Sequence, residues 1–229
     1  MQDGAFAGVI ADPLAGRTVK PRRTGLTMVI DKGLGLRQIE DLLEVAAPYI
    51  DLIKLGFGTG ALYSGRLLQQ KIERIHAFGV TVYPGGTFLE VAWTQRRLPE
   101  FLEACLRLGF RLVEVSDGTV SLTPAERLEI IRAARDRGLR VITEVGKKAA
   151  GEVLDPLLAL RQIESDLEAG AEHVILEGRE SGRGAGLYDA QGRFRDDDVE
   201  LIVAGLPDPD RGVWEAPLKE QQQALIARC

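Results

Sequence analysis

Cysteine and histidine are scarce, with two of each in 229 residues. Cys105 and Cys229 are too few for a disulfide framework, and Cys105 falls in the helical-looking run LPEFLEACLRLG, where a small buried thiol is the usual occupant. His76 lies in a helical stretch and His173 at the entry of a strand. No His/Cys cluster therefore exists to hold zinc, and both imidazoles read as structural. Long apolar runs are missing too. Nothing approaches the roughly 18 residues a membrane span needs, and the opening MQDGAFAGVIADPLAG lacks the charged and apolar regions of a signal peptide. A soluble protein of the reducing cytoplasm, with no membrane partner, is expected. Positive charge is not in excess either: the net charge of -5 argues against a surface tuned for nucleic acid, while leaving room for a local basic pocket that takes a small anion.

What is present is a large apolar fraction, 45%, enough to bury the core of one domain spanning 1–229. Short β-rich runs recur at TMVID (27–31), DLIKLGF (51–57), VTVYPGG (80–86), RLVEVSD (111–117), RVITEV (140–145), HVILEG (173–178) and GVWEA (212–216). Helical patterns fall between them, over 36–48, 60–78, 95–108, 153–169, 196–205 and 217–228. One further helix has explicit ends: in SLTPAERLEIIRAARDRG, Thr123 caps, Pro124 suits the first position, Glu126 completes a capping box and Gly138 stops the helix. Leu128, Ile131 and Ala134 would face the sheet.

Alternating strands and helices imply a parallel sheet with helices outside it. The fold class expected is α/β, a (β/α)₈ TIM-type barrel of which seven units are counted, the eighth apparently missing at the C-terminus. Residues 1–26, with Pro13, Pro21 and several glycines, read as an arm that closes the lower end.

Parallel strands covered on both faces should be nearly all apolar, so charges at their C-terminal ends point to the catalytic face of a barrel. The charges recur strand after strand: Asp31 and Lys32, Lys54, Glu90 after PGGTFL, Glu114 and Asp117, Glu144 with Lys147 and Lys148, Glu177 with Arg179 and Glu180, and Glu215. For any one of them an ordinary ion pair or a solvated loop explains the charge equally well. A whole ring is too costly to bury without a metal or a charged ligand. Carboxylates in that number suit a hard cation such as Mg²⁺. Lysines beside them can move protons, as in enolisation chemistry. The glycine-rich stretches LGFGTG (55–60) and GRESGRGAG (178–186) could bind phosphate, although ordinary turn chemistry explains the first as well.

The segments KPRRTGLTMVIDKGLG (20–35), DLIKLGFGTG (51–60), YPGGTFLE (83–90), VEVSDGTVSL (113–122), ITEVGKK (142–148) and VWEAPLKEQQ (213–222) together resemble the phosphosulfolactate synthases, in order from about residue 20 to the end. The resemblance implies a (β/α)₈ barrel that adds sulfite to phosphoenolpyruvate in a Mg²⁺-dependent lyase reaction, giving (2R)-phospho-3-sulfolactate for coenzyme M or sulfolactate formation. It also implies a homo-oligomer, expected to be a trimer. Combined with the charge ring, it makes Lys147 the leading proton donor, with Lys148 or Lys54 as substitutes. Asp31, Glu90, Glu114 and Glu144 form the expected pool of metal ligands, and Lys32, Arg179 and Arg183 the anion contacts. Two rival readings are a Schiff-base aldolase acting through Lys147 and a non-catalytic relative linked to heat stress.

Overall fold

The computed structural model describes residues 5, 6, 8, 9, 18–147 and 154–228. Among the described residues seven strands alternate with helices: β1 (Met28–Asp31), β2 (Leu52–Leu55), β3 (Thr81–Pro84), β4 (Leu112–Val115), β5 (Arg140–Val145), β6 (His173–Leu176) and β7 (Gly212–Trp214). The helices are α1 (Leu36–Ala46), α2 (Gly65–Ala77), α3 (Gly86–Thr94), α4 (Leu98–Leu108), α5 (Pro124–Asp136), α6 (Pro156–Glu168), α7 (Asp196–Gly205) and α8 (Lys219–Arg228). Pairing among these strands is parallel: β1, β2 and β3 form one hydrogen-bonded group, β4 to β7 a second, and β3 packs beside β4.

The sheet is rolled. Met28, Leu52, Tyr83, Leu112, Ile142, Ile175 and Val213, one from each strand, meet in a single apolar cluster together with Leu26. An open sheet cannot bring a side chain from every strand to one place, whereas a barrel interior does so in layers. Tyr83, fully buried, donates its hydroxyl to Met28 Sδ at 2.7 Å across this floor. The alternate residues, including Ile53, Val82, Val113, Val141, Val174 and Leu176, face outward into the layer between strands and helices. The strand-helix alternation expected of a TIM-type barrel is thus what the chain builds.

Below the floor, Lys20 donates to the carbonyls of Ala47 and Ile50, and Arg22 holds Asp51 with one nitrogen at 2.9 and 3.1 Å from its two oxygens. The near part of the expected arm therefore lies against the lower end of the sheet. Most of residues 1–17 lie outside the described residues.

Two helix readings need correction. The stretch expected as one helix over 60–78 begins with a tight helical segment at Gly56–Leu62, in which Phe57 (φ 54°) and Gly58 (φ 68°) break the turn, and α2 starts only after the Ser64 cap. The PGG at 84–86 does not simply end a strand: Gly85 caps α3, a helix apolar on most sides and so without the polar face that periodicity detects. Glu90 therefore stands on a helix. In α5 the capping box forms as expected, and Ile131 and Ala134 are buried. Leu128 is only partly buried, because Arg127 and Ile130 take the deeper positions.

Candidate active site

The interior floor has a charged layer directly above it. Two residues beyond Leu52, Leu112, Ile142, Ile175 and Val213 stand Lys54, Glu114, Glu144, Glu177 and Glu215, all buried. A period of two puts them on the same inward face, one layer nearer the C-terminal ends of the strands. In the third strand the corresponding position is Gly85, where an added Cβ would lie 3.4 Å from Lys54 Cε. The bare backbone there leaves the space that the Lys54 stem fills. Gly86 is stricter still: a Cβ on it would come within 2.1 Å of Ser116 Oγ, and its N–H donates to Glu114 Oε1 at 2.7 Å.

Lys54 is the centre of the layer. Its ammonium lies 2.6 Å from Glu144 Oε2, 3.0 Å from Glu114 Oε2 and 3.3 Å from Glu215 Oε1. Burial pulls the ammonium toward neutrality, yet the attraction of Glu114, Glu144 and Glu215 together outweighs it and holds the pKa well above the ordinary lysine value. Tyr83 beneath is also pushed well up, first by burial and then by the negative charge of Glu114. The floor phenol stays neutral and Lys54 stays charged.

Glu144, Glu177 and Glu215 each present an oxygen such that the three lie within 4.8 Å of one another. Glu215 is held by the N–H of Gly178 at 3.2 Å, and Glu177 by the N–H of Arg179 at 2.6 Å. Three hard oxygen donors converging at the mouth of a barrel form a natural cradle for a divalent cation. This is a different group from the expected pool of Asp31, Glu90, Glu114 and Glu144. Only Glu144 is common to both.

Each of the other three has other work. Asp31 accepts from the N–H groups of Gly33 and Leu34 and pairs at 2.5 Å with Lys71 of α2, whose ammonium also donates to Leu34 O and Tyr63 Oη. It fixes the turn after β1, among the helices. Glu90, on α3, takes hydrogen bonds from Ser116, Gly118 and Thr119. Glu114 joins the layer through Lys54 and Gly86. Glu177 and Glu215 were visible in the charge ring, and the signal that separates them was the fixed spacing from an inward apolar residue, as in ILE and VWE.

Lys147 follows β5 and is about one-third exposed; its ammonium donates to Asp117 Oδ2 at 2.5 Å, to Asp117 O at 2.7 Å and to Val120 O at 3.1 Å. Asp117 is held in turn by Arg127, a buried guanidinium that grips Asp166 through Nε at 2.8 Å and Nη2 at 2.7 Å and donates to Glu144 O at 2.9 Å. Desolvation works against the Arg127 charge, but the hydrogen bonds and charge of Asp166, with the charges of Asp117 and Glu144, more than offset it. Lys148 lies outside the described residues.

Of the expected anion contacts, Lys32 pairs with Glu180 in solvent, linking the turn after β1 to the loop after β6. Arg179 is half-buried with a positive φ of 56°, and Arg183 is exposed on the same loop. Gln221 of α8 holds that loop by donating to Gly182 O at 2.7 Å and Gly192 O at 2.8 Å. His76 and His173 are both pushed down by burial, as fits structural imidazoles, and burial pushes the Cys105 thiol up to about 12.

The family model of (2R)-phospho-3-sulfolactate synthase (ComA) matches residues 15–229. The phosphosulfolactate synthase of Methanothermobacter thermautotrophicus is 40% identical over 214 residues, covering 93% of this chain and 83% of that protein. That of Methanocaldococcus jannaschii is 41% identical over 208 residues, covering 89% and 82%. Among solved structures, one assigned as a fructose-1,6-biphosphate aldolase from Coccidioides immitis superposes with a TM-score of 0.58 at 16% identity, covering 84% of this chain and 68% of that one. At that identity the likeness speaks for the barrel fold alone.

Proposed function

The chain belongs to the (2R)-phospho-3-sulfolactate synthase family and is an enzyme of that family; from this premise we propose that it joins sulfite to phosphoenolpyruvate with Mg²⁺ held by Glu144, Glu177 and Glu215. The observation that carries the reading is the convergence of those three buried carboxylates above the apolar floor. Their oxygens are the donor type Mg²⁺ takes, and like charges this close are most stable with a cation among them. When bound, the ion supplies a positive centre that favours negative charge developing on the substrate carboxylate.

In this reading the sulfur of sulfite forms a bond to the methylene carbon of phosphoenolpyruvate, and the electron pair of the double bond moves toward the carboxylate. The carbon bearing phosphate then takes a proton from one face. Lys147 is the proton donor, since its ammonium is held at the end of β5, three residues past Glu144, with solvent access that the caged Lys54 lacks. Lys54 keeps the glutamates in register and compensates their charge. Lys32, Arg179 and Arg183, on the loops after β1 and β6, supply cations for phosphate, carboxylate and sulfite.

A Schiff base is the less favoured chemistry. A lysine must lose its proton to attack a carbonyl, and the Lys54 ammonium is stabilised well above the ordinary range. Lys147 in turn is paired with the Asp117 carboxylate. Borohydride with a carbonyl substrate is expected to trap no adduct on either lysine.

The deciding experiment is a ³¹P NMR time course with phosphoenolpyruvate, sulfite and Mg²⁺, beside EDTA and sulfite-free controls. A new phosphate ester that requires both additions is expected. Formation of that ester in EDTA would remove the metal from the reading, and unchanged phosphoenolpyruvate would remove the reaction.

A further inference from the structure

Glu90 is 1% exposed, far below the ordinary range for a glutamate, yet it stands on α3 outside the inward layer of the strands. Both its oxygens are filled from one short segment. Oε1 accepts from Ser116 Oγ and from the Gly118 N–H at 2.9 Å; Oε2 accepts from Thr119 Oγ1 and from the Thr119 N–H at 2.9 Å. Four donors on one carboxylate form an anchor, and the segment they fix is the turn after β4.

That turn meets the side chain of Lys147, two residues past the end of β5. Its acceptors, Asp117 O, Asp117 Oδ2 and Val120 O, lie 2.7, 2.5 and 3.1 Å from Lys147 Nζ. Arg127 steadies the far oxygen of Asp117 at 3.2 Å. A loop with no regular pairing of its own would not hold three acceptors around one ammonium unless something else fixed its backbone, and the Glu90 carboxylate supplies that support through Ser116, Gly118 and Thr119.

We propose that Glu90 is a positioning residue: with residues 116–120 it builds a three-acceptor cradle that fixes the Lys147 ammonium, and it acts on the reaction only through Lys147. The kinetic consequence rests on the reading of Lys147 as proton donor; the cradle itself does not.

Two readouts separate them. The first is the ¹⁵Nζ ammonium spectrum of the full chain, in which a hydrogen-bonded lysine exchanges slowly enough to be seen. Wild type is expected to show a Lys147 signal, assigned by its loss in Lys147→Arg, and Glu90→Gln is expected to lose it while backbone amides outside residues 116–120 keep their positions. A signal absent from wild type, or persisting in Glu90→Gln, overturns the cradle whatever happens to turnover. Ser116→Ala, which removes one hydroxyl donor, serves the same test if Glu90→Gln fails to fold.

The second readout is kinetic. Glu90→Gln is expected to lower kcat on the order of 10²-fold, leaving KM for phosphoenolpyruvate and the Mg²⁺ requirement unchanged, and to cost nothing further in a Lys147→Ala background. A raised Mg²⁺ requirement with additive losses would overturn the assignment and make Glu90 a metal ligand. Normal turnover of Lys147→Ala, with the ammonium signal behaving as expected, would instead sink the proton-donor reading and leave the cradle standing.

Discussion

Lys54 Nζ lies 2.6 Å from Glu144 Oε2, although β2 and β5 are not neighbours in the sheet. The contact crosses the barrel interior, and it draws two more glutamates, Glu114 and Glu215, to the same ammonium. One cation thus organises the inward charges of three strands.

Removing that cation should be costly. Lys54→Met is expected to destabilise the fold by about 3–5 kcal/mol, the usual penalty for stranding buried charge. Urea unfolding of Lys54→Met beside Lys54→Met/Glu144→Gln provides the check. The deficit should shrink in the double variant, which strands less buried charge, and an equal deficit in both would contradict the electrostatic origin.

Alkaline pH should act on the same layer. Lys54 and Tyr83 both have folded pKa values raised above the unfolded ones, so each favours the fold fully below about pH 10, and that contribution is lost as pH rises through the folded value. Stability is expected to be insensitive to these two groups between pH 7 and 9 and to fall above about pH 10. Tyr83→Phe should make the fall shallower, as followed by denaturant midpoints across the range.

The metal cradle can be tested by calorimetry. Glu177→Gln and Glu215→Gln are each expected to weaken Mg²⁺ binding at least roughly tenfold. Asp31→Asn should leave Mg²⁺ affinity unchanged, because its partners are the turn after β1 and Lys71. Equal losses at all three positions would mean that the site is not the one formed by Glu144, Glu177 and Glu215.

Gly86 admits no side chain. In Gly86→Ala the new Cβ would meet Ser116 Oγ at 2.1 Å and Glu114 Oε1 at 2.8 Å. A loss of about 1–3 kcal/mol from overpacking is expected in thermal or urea unfolding, along with a fall in activity as Glu114 is displaced. A variant as stable and active as wild type would show that α3 can shift away.

Much of this was legible in the chain. Alternation of strands and helices led to the barrel, the capping box at Thr123 and Glu126 to α5, and charged residues at strand ends to the buried charged layer above the apolar floor. The rule that a charged side chain two places beyond an inward apolar one shares its face singles out Lys54, Glu114, Glu144, Glu177 and Glu215 from local periodicity alone. Asp31 breaks that rule, since it follows Met28 by three places and faces α2 instead. Glu90 escaped because an all-round apolar helix has no stripe to reveal it, so its carboxylate read as one more strand end.

What the sequence determined by itself was the kind of architecture and the face that carries charge, because both depend on spacing between near neighbours along the chain. Only the tertiary structure decided which charges meet. Partners 39 to 161 residues apart are brought together by the packing of α5 and α6 in the case of Arg127 with Asp166, and by the curvature of the sheet in the case of Lys54 with Glu215. That curvature arises from packing across the whole barrel, and no local pattern encodes which side chains it will place within 4 Å.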